Sequence, residues 1–536
     1  MKVASSVIPF SSANAFSKLF LDYTGQKNKE LEHFYSFYPD SESFAKAINS
    51  FPTGKHDRNT LVDVLLKQNT ELFASNAKLE GQIVALKDEN TFTVCTAHQP
   101  CLFTGPLYFI YKIVSAINLA SALKKAMPEK NFVPVYWMGS EDHDFEEINH
   151  AYVFGKKMEW SRADTGGPVG RLPVASVSSL MKELTSLLGE SDNAKNILKT
   201  LHEAYAPGVT LSVATRRLVN ALFGEYGVVV IDGDDALLKK GFSAIMADDI
   251  FHQTNKPLVE ESVEKLKALG YDAQVNPRDI NVFYLSDDKR ERIIAEGSTF
   301  KVQSGSKLEF THDELKKELE QHFERFSPNV VLRPLYQQQV LPNIAYVGGP
   351  AEMAYWLELK KVFDHHKVYY PALVPRHSVL WTDAKQASQL KKLGFAQEDL
   401  FLSLDAMIKV FIEKNSTGVS FKEEEQQLRN VFGSLALKAT HTDVTLKASV
   451  EAELQKALQS LKHIETKMTR AEKQKHETAL GQVKKLKEKL FPEGKLQERH
   501  DNFISLYTRH GQALLPLLLE RLEAYQQGFI ILSEEG

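Results

Sequence analysis

Phe92-Thr93-Val94-Cys95-Thr96-Ala97, followed by His98-Gln99-Pro100-Cys101-Leu102-Phe103-Thr104-Gly105-Pro106, decides how this chain folds. The first run has the apolar and β-branched character of a buried strand, and the second is a tight turn with a polar face. A helical pattern runs from Leu107 to about Met127. A second apolar run, Phe132 to Met138, leads into an acidic loop, Ser140-Glu141-Asp142-His143-Asp144. A helix of roughly 20 residues between two short apolar runs is a β-α-β unit, two parallel strands joined by a right-handed crossover. Both polar clusters follow a strand, so both fall at the carboxyl edge of the sheet, where open α/β sheets bind ligands.

Before this unit, residues 1–90 show amphipathic helical spacing over Ala15 to Tyr23, Ser41 to Phe51 and Asn59 to Leu86, which predicts a helical lead-in covering one face of the sheet. After it, Ala151 to Trp160 reads as a hairpin and Gly166 to Gly170 as a break. Helices are predicted over Ser178–Leu188 and Leu211–Phe223, and a buried strand, Val228 to Ile231, ends in a second acidic loop, Asp232 to Asp235. Val275 to Phe310 has the pattern of short strands and charged turns, and a capped helix is expected over Thr311–Phe326. Asn343 to Val347 is strand-like, Gly348-Gly349 is a turn, and Pro350 suits the first position of a helix that carries Glu352, Tyr355 and Trp356. A last strand, Tyr369 to Val374, closes with Pro375-Arg376-His377. The expected organisation is a Rossmann-like parallel-sheet core over 91–382, with connecting-peptide insertions near 164–208 and 251–330.

From 383 to 536 the composition favours helix without strands. Val450, Leu454, Ala457, Leu461, Ile464, Met468 and Ala471 alternate steps of four and three, the seam of a coiled coil. The seam is broken at Lys475 and resumes at Val483, Leu486 and Leu490. Pro492-Glu493-Gly494 stops the helix, and Leu496 to Tyr525 reads as its return. The expectation is a helical domain with an antiparallel hairpin over about 440–530, its exposed seam serving a homodimer.

The chain has 536 residues, too many for one core, with 43% hydrophobic and 25% charged residues and a formal net charge of −4. No cluster of Lys and Arg speaks for nucleic acid, and no apolar run speaks for a membrane span. Two cysteines point to a reducing, cytoplasmic setting.

At the first turn, Gly105 lets the backbone approach a ligand and Lys112 lies within the helix, a pattern suited to an anion. In the acidic loop, Asp144 with Glu147 forms a capping box, which leaves Glu141, Asp142 and His143 free to hold Mg²⁺ or act as general base. Cys95, His98 and Cys101, with His143, have a zinc-like spacing. Cys95 belongs to a strand facing the core, so no metal site is assigned there.

Thr96-Ala97-His98-Gln99-Pro100-Cys101-Leu102-Phe103-Thr104-Gly105-Pro106-Leu107-Tyr108, with Tyr111-Lys112, resembles the BshC family, cysteine-adding enzymes of bacillithiol biosynthesis. Three further blocks agree: Pro134 to Trp137 leading into Ser140 to His150; Gln274 with Asn281 to Tyr284; and Leu341 to Asn343 through Tyr346 to Glu352 and Tyr355-Trp356. The family pattern has Gly where this chain has Ala97. The His-x-Gly-His signature and the Lys-Met-Ser-Lys-Ser-like loop of class I tRNA synthetases are absent.

The resemblance implies a synthetase-like Rossmann core, a pairing coiled coil, and amide formation between L-cysteine and the amine of glucosaminyl malate. It implies candidate site positions at His98, Gln99, Thr104, Gly105, Tyr108, Lys112, residues 140–144, Asn149, Gly348, Gly349, Glu352, Tyr355 and Trp356. Joining a free carboxylate to an amine is uphill, so ATP is the inferred activator, with Mg²⁺ its usual companion. Lys112, Glu141, Asp142, His143 and Asp144 then carry the chemistry, Ser140 and the other positions bind substrate, Glu352 and Trp356 line its wall, and Arg376 answers a carboxylate. Two other readings are an aminoacyl-activating or nucleotidyl-transfer enzyme with another acceptor, and a non-catalytic coiled-coil assembly protein.

Overall fold

A computed structural model describes residues 2–163, 166–286, 288–303, 308–415 and 421–535. Position 164, where the first insertion was expected to begin, lies outside the described residues.

The strand Thr91–His98, the helix Tyr108–Ala126 and the strand Asn131–Met138 form the expected unit, with the two strands parallel from Thr91↔Asn131 to His98↔Met138. They are the middle of a five-stranded, wholly parallel sheet completed by Val229–Asp232, Asn343–Gly348 and Ala372–Pro375. Numbered along the chain, the spatial order is 3-2-1-4-5, the doubly wound order of Rossmann sheets. The winding reverses between Thr91–His98 and Asn343–Gly348, whose carboxyl ends are His98 and Gly348.

Alternation along these strands sends Cys95, Ala97, Val133, Val135, Trp137, Val229 and Ile231 into one core. Phe92, Val94 and Phe132 go to the opposite face. The N-terminal helices Arg58–Asn69 and Ala77–Ala85 pack on the first face, and Ser41–Asn49 packs on the second through Phe44 and Ile48. The lead-in therefore covers both faces rather than one. It also begins with a strand, Val3–Ile8, which pairs antiparallel with Phe529–Glu534; that strand lies parallel to Ser378–Thr382. A chain end read as strandless thus closes a second sheet with the chain's beginning.

The segment from Val282 to Pro328 is an antiparallel five-stranded sheet, entered by the buried Asn281 and interrupted by the helix His312–Gln321. Thr311 and Glu314 make its reciprocal cap, and it ends at Gln321, short of the expected Phe326, which begins a strand instead.

The seam helix runs Leu446–Lys475, about 45 Å at 1.5 Å per residue. Its partner is the preceding helix, Lys422–Thr442, not the expected return over 496–525. The chain breaks at His476, and Glu477–Leu490 turns onto the body with Val483, Leu486 and Leu490 buried. Leu496 to Tyr525 then forms short helices, Ile504–His510 and Leu514–Arg521, whose leucines lie in a core shared with the helix Tyr108–Ala126. Apolar residues at helical spacing suit a globular core and a coiled coil alike, and the core took them. No described helix is long and apolar enough to cross a membrane.

Candidate functional site

A cleft of about 560 Å³ opens at the reversal of the sheet, between the strand ends His98 and Gly348–Gly349 on one side and the inserted sheet on the other. At its floor lies Lys112, 3% exposed, one helical turn in from Tyr108. Its Nζ donates to Ala97 O at 2.6 Å and pairs with Glu352 Oε2 at 2.5 Å. Glu352 also accepts from Gly349 N at 2.7 Å and from the Tyr346 hydroxyl at 2.9 Å. Burial opposes the Glu352 charge, yet Lys112 and the Gly349 N–H hold its carboxyl down at about 2. Burial lowers Lys112 from its ordinary value, with Glu352 working against that shift. The pair joins the two strands at the switch point.

His98 is held by both ring nitrogens, Nδ1 2.9 Å from Gln99 O and Nε2 2.9 Å from the Tyr108 hydroxyl. A proton on Nδ1, donated to the carbonyl, leaves Nε2 as acceptor for Tyr108. Burial, with Lys112 nearby, pushes the imidazole down to about 4, so it is neutral near pH 7. Ala97 sits at negative φ in its strand, so the absence of the family's glycine causes no backbone strain.

The acidic loop is built differently from its reading. Asp144 caps the helix Phe145–Ile148 by accepting from Glu147 N, but the Glu147 carboxylate accepts from Gln99 Nε2 at 2.9 Å instead of closing the box. Asp142 accepts from Gln99 Nε2 at 2.7 Å and from His143 N at 2.7 Å, with Arg290 3.9 Å away. Burial raises its carboxyl, but Arg290 and these donors outweigh it and the net shift is downward. Glu141 shares the buried Lys239 ammonium, at 2.7 Å, with Asp234 at 2.9 Å. Each cleft-facing carboxylate of the loop already has a cation, which does not fit a Mg²⁺ site.

Of the expected positions, His98, Gln99, Tyr108, Lys112, Glu141, Asp142, Gly349, Glu352, Tyr355 and Arg376 line the cleft. Eight do not. Thr104 and Gly105 lie in a buried turn with φ of 71° and 66°. Gly105 N donates to Leu102 O, Asn502 Nδ2 donates to the carbonyls of Phe103 and Gly105, and Leu107 N donates to Asp501 O. The C-terminal segment thus covers the expected anion cradle, and a Cβ on Gly105 would stand 2.9 Å from Cys101 Cβ. Ser140 is buried against Asp232, to which its hydroxyl donates. Asn149 is buried, its carbonyl accepting from Trp160 N. His143 and Asp144 lie in a separate depression over 142–147, with His143 Nδ1 3.2 Å from Arg290 Nη1 at the cleft's border. Gly348 packs on the Tyr346 ring. Trp356 has no exposed surface and stacks on Tyr346 with centroids 4.3 Å apart, so it backs the site instead of lining it. Tyr355 takes that place, its hydroxyl accepting from Arg333 Nη2 at 3.0 Å. Arg376 reaches the cleft edge, but its two terminal nitrogens donate to Glu498 at 3.0 and 2.8 Å.

Sequence reading missed most of the cations. Arg278, Arg290 and Arg292 come from the insertion, Arg333 from the start of the helix Arg333–Val340, and Arg499 from the C-terminal segment. Arg290 is fixed by Ser327 Oγ at 3.1 Å, Pro328 O at 2.9 Å and the face of Phe283 at 4.1 Å. Arg290 and Arg292 are two apart on one strand and so share a face, a signal that Lys289-Arg290-Glu291-Arg292 obscured by reading as a charged turn. Among the described residues seven cations line the cleft against three carboxylates, Glu141, Asp142 and Glu352. Among the described residues Arg278, Arg292, Arg333 and Arg499 pair with no carboxylate, so the cleft is suited to a ligand with more than one negative charge. Cys95 and Cys101 are buried in separate cores, and burial raises both thiols, that of Cys101 to about 12, which is unlike the thiolate a zinc ligand needs.

Fold and site together define a Rossmann-type α/β protein with a cation-lined cleft at its topological switch point. The chain belongs to the BshC family: residues 3–377 match the model for its N-terminal Rossmann-like domain and residues 379–534 that for its C-terminal coiled-coil domain, both described under bacillithiol biosynthesis. Relatives bearing the name "Putative cysteine ligase BshC" include those of Flavobacterium psychrophilum, 41% identical over 98% of this chain and 99% of the relative, and Flavobacterium johnsoniae, 40% identical with the same coverage. That of Cytophaga hutchinsonii is 41% identical over 95% of each chain.

Proposed function

We propose that this protein is an ATP-dependent ligase that joins the carboxylate of L-cysteine to the amine of glucosaminyl malate. The observation that supports this reading most is the cleft's surplus of cations, contributed by core and insertion alike, around the Lys112–Glu352 pair. Both organic substrates carry carboxylates and the nucleotide carries phosphates, so a polycationic cleft suits each of them. Arg278, Arg292, Arg333 and Arg499 are the groups with charge left to hold such anions. ATP supplies activation of the carboxylate when bound. Lys112, fixed at both ends, offers a preorganised positive charge where negative charge develops. His98, neutral at physiological pH and facing the cleft, offers Nε2 with the Tyr108 hydroxyl as a hydrogen-bonding pair to orient the attacking amine.

Product formation by mass spectrometry from purified protein, cysteine and glucosaminyl malate tests this directly. The expected result is a cysteine adduct that appears only with ATP; an adduct formed equally without ATP would overturn the ligase assignment. Arg333→Ala should raise KM for an anionic substrate about 10- to 100-fold, the worth of one charge-assisted hydrogen bond, with a smaller change in kcat. An unchanged KM for every substrate would remove Arg333 from the binding set.

We further propose that the arm formed by Lys422–Thr442 and Leu446–Lys475 joins two copies of the chain. Val431, Leu435, Leu437, Val444, Ile464 and Met468 are exposed on it, apolar side chains that one copy leaves uncovered. Light scattering should find a dimer for the native chain and a monomer for Leu437→Glu with Ile464→Glu. A native chain that is monomeric at micromolar concentration would end this reading.

A further inference from the structure

Away from the cleft, we propose that Asp248, His365 and His366 form a binding site for a divalent transition metal of the zinc class. His365 is the last residue of the helix Lys360–His365, and His366 is its C-cap. Their rings stand 82° apart with centroids at 4.7 Å, an arrangement that lets adjacent residues send their Nε2 atoms toward one carboxylate. Asp248 Oδ2, on the helix Ser243–His252, lies 3.8 Å from His365 Nε2 and 3.9 Å from His366 Nε2. The three ligand atoms fall within 4.8 Å of one another.

Ligands about 2.0–2.1 Å from a tetrahedral ion are separated by about 3.3–3.4 Å, so binding requires each histidine to close on Asp248 by about 0.5 Å and the two imidazoles to close by up to about 1.4 Å. The His365 and Asp248 side chains are 42% and 28% exposed, which leaves them room to make that movement. Two imidazoles and one carboxylate are the donors of open zinc sites, with the fourth position left to water. Imidazole selects zinc, cobalt or nickel over magnesium and calcium.

Among the described residues Asp248 pairs with no lysine or arginine, and its remaining side-chain bond is accepted from Thr254 Oγ1. Asn255, fully buried, places Oδ1 2.8 Å from His366 Nε2 and donates through Nδ2 to Asp249 Oδ1 at 2.9 Å. A metal at Nε2 would replace the hydrogen bond to Asn255, with the imidazole proton then carried on Nδ1, and the amide oxygen would be the nearest further ligand atom. Asp249 also accepts from Asn281 N at 2.5 Å and Nδ2 at 3.1 Å, and Asn281 opens the strand that carries Phe283 to the cleft. A bound ion would fasten the two helices beside the anchor of the cleft's outer wall.

The test is titration of metal-free, full-length protein with Co²⁺ and then Zn²⁺, followed by visible absorption and calorimetry. The expected result is one equivalent of Co²⁺ with the intense absorption of a four-coordinate site, displaced by Zn²⁺. Affinity should fall about 10-fold or more in His365→Ala and about 100-fold or more in His365→Ala with His366→Ala, and Zn²⁺ should raise Tm of the native chain but not of the double variant. His365 is solvent-exposed, so the single variant tests the site even if His366→Ala impairs folding. No binding by the native chain, or binding equal in His365→Ala and the native chain, would overturn the proposal.

Discussion

Lys112→Met is expected to lower the rate of amide formation by a factor of about 10²–10³, the usual loss when a preorganised charge is removed from a site of developing negative charge. The same change removes the cation beside a buried carboxylate. Breaking such a pair costs about 3–5 kcal/mol, because Glu352 is left charged in a poor solvent or must take up a proton. A single variant therefore confounds two effects, and a double variant separates them. Lys112→Met with Glu352→Gln leaves no buried charge, so much of the stability should return in a denaturant melt. If Lys112 acts in the reaction, activity stays low in the double variant; if the pair only holds the two strands together, activity returns with stability. The pH dependence follows from the same pair. With the Glu352 carboxyl held at about 2 in the fold, against an ordinary 4.5, its contribution to stability is complete above about 4.5 and is lost as the pH falls toward 2. Removing Lys112 should move that acid limb to higher pH.

How far the sequence could be read depended on whether a contact was local. Strands such as Thr91–His98 and helices such as Ser178–Leu188 and Leu211–Phe223 carry their own periodicity and capping signals, and they lie where those signals place them. The parallel order of the sheet follows from repeated strand-helix-strand units. The pairing of Val3–Ile8 with Phe529–Glu534 joins the two ends of the chain, and no local pattern reports it. The partner of the seam helix was misassigned for a related reason: a heptad pattern shows that a helix has a partner but not which one. In the site, strand ends and turns located His98, Gln99, Lys112 and Glu352. The spacing of Glu352 and Trp356 put both on one helical face correctly, but the ring of Tyr346 lies against Trp356 and closes it off. The arginines of the insertion reach the cleft only through tertiary placement.

Glu498→Ala should destabilise the protein by about 3–5 kcal/mol, the loss expected when a buried charged group loses its partner. Glu498 is fully buried and accepts from both terminal nitrogens of Arg376 and from Val379 N at 2.8 Å. It thereby fastens the C-terminal segment to the exit of the last core strand, and the variant leaves a guanidinium and a backbone N–H unpaired. Arg376→Lys should also fail, since an ammonium cannot make the two parallel bonds. Replacing both charges, Glu498→Leu with Arg376→Met, should recover most of the stability, because burying two apolar groups avoids the desolvation that the ion pair only offsets. Activity provides the discriminating measurement. Arg376 N donates to Gly348 O at 2.9 Å, its ring-facing side lies over Tyr108, and its edge borders the cleft beside Gly349. A stable double variant with undiminished turnover would make the pair purely structural. A stable double variant with a raised KM for an anionic substrate would show that the Arg376 guanidinium, besides pairing with Glu498, meets the ligand.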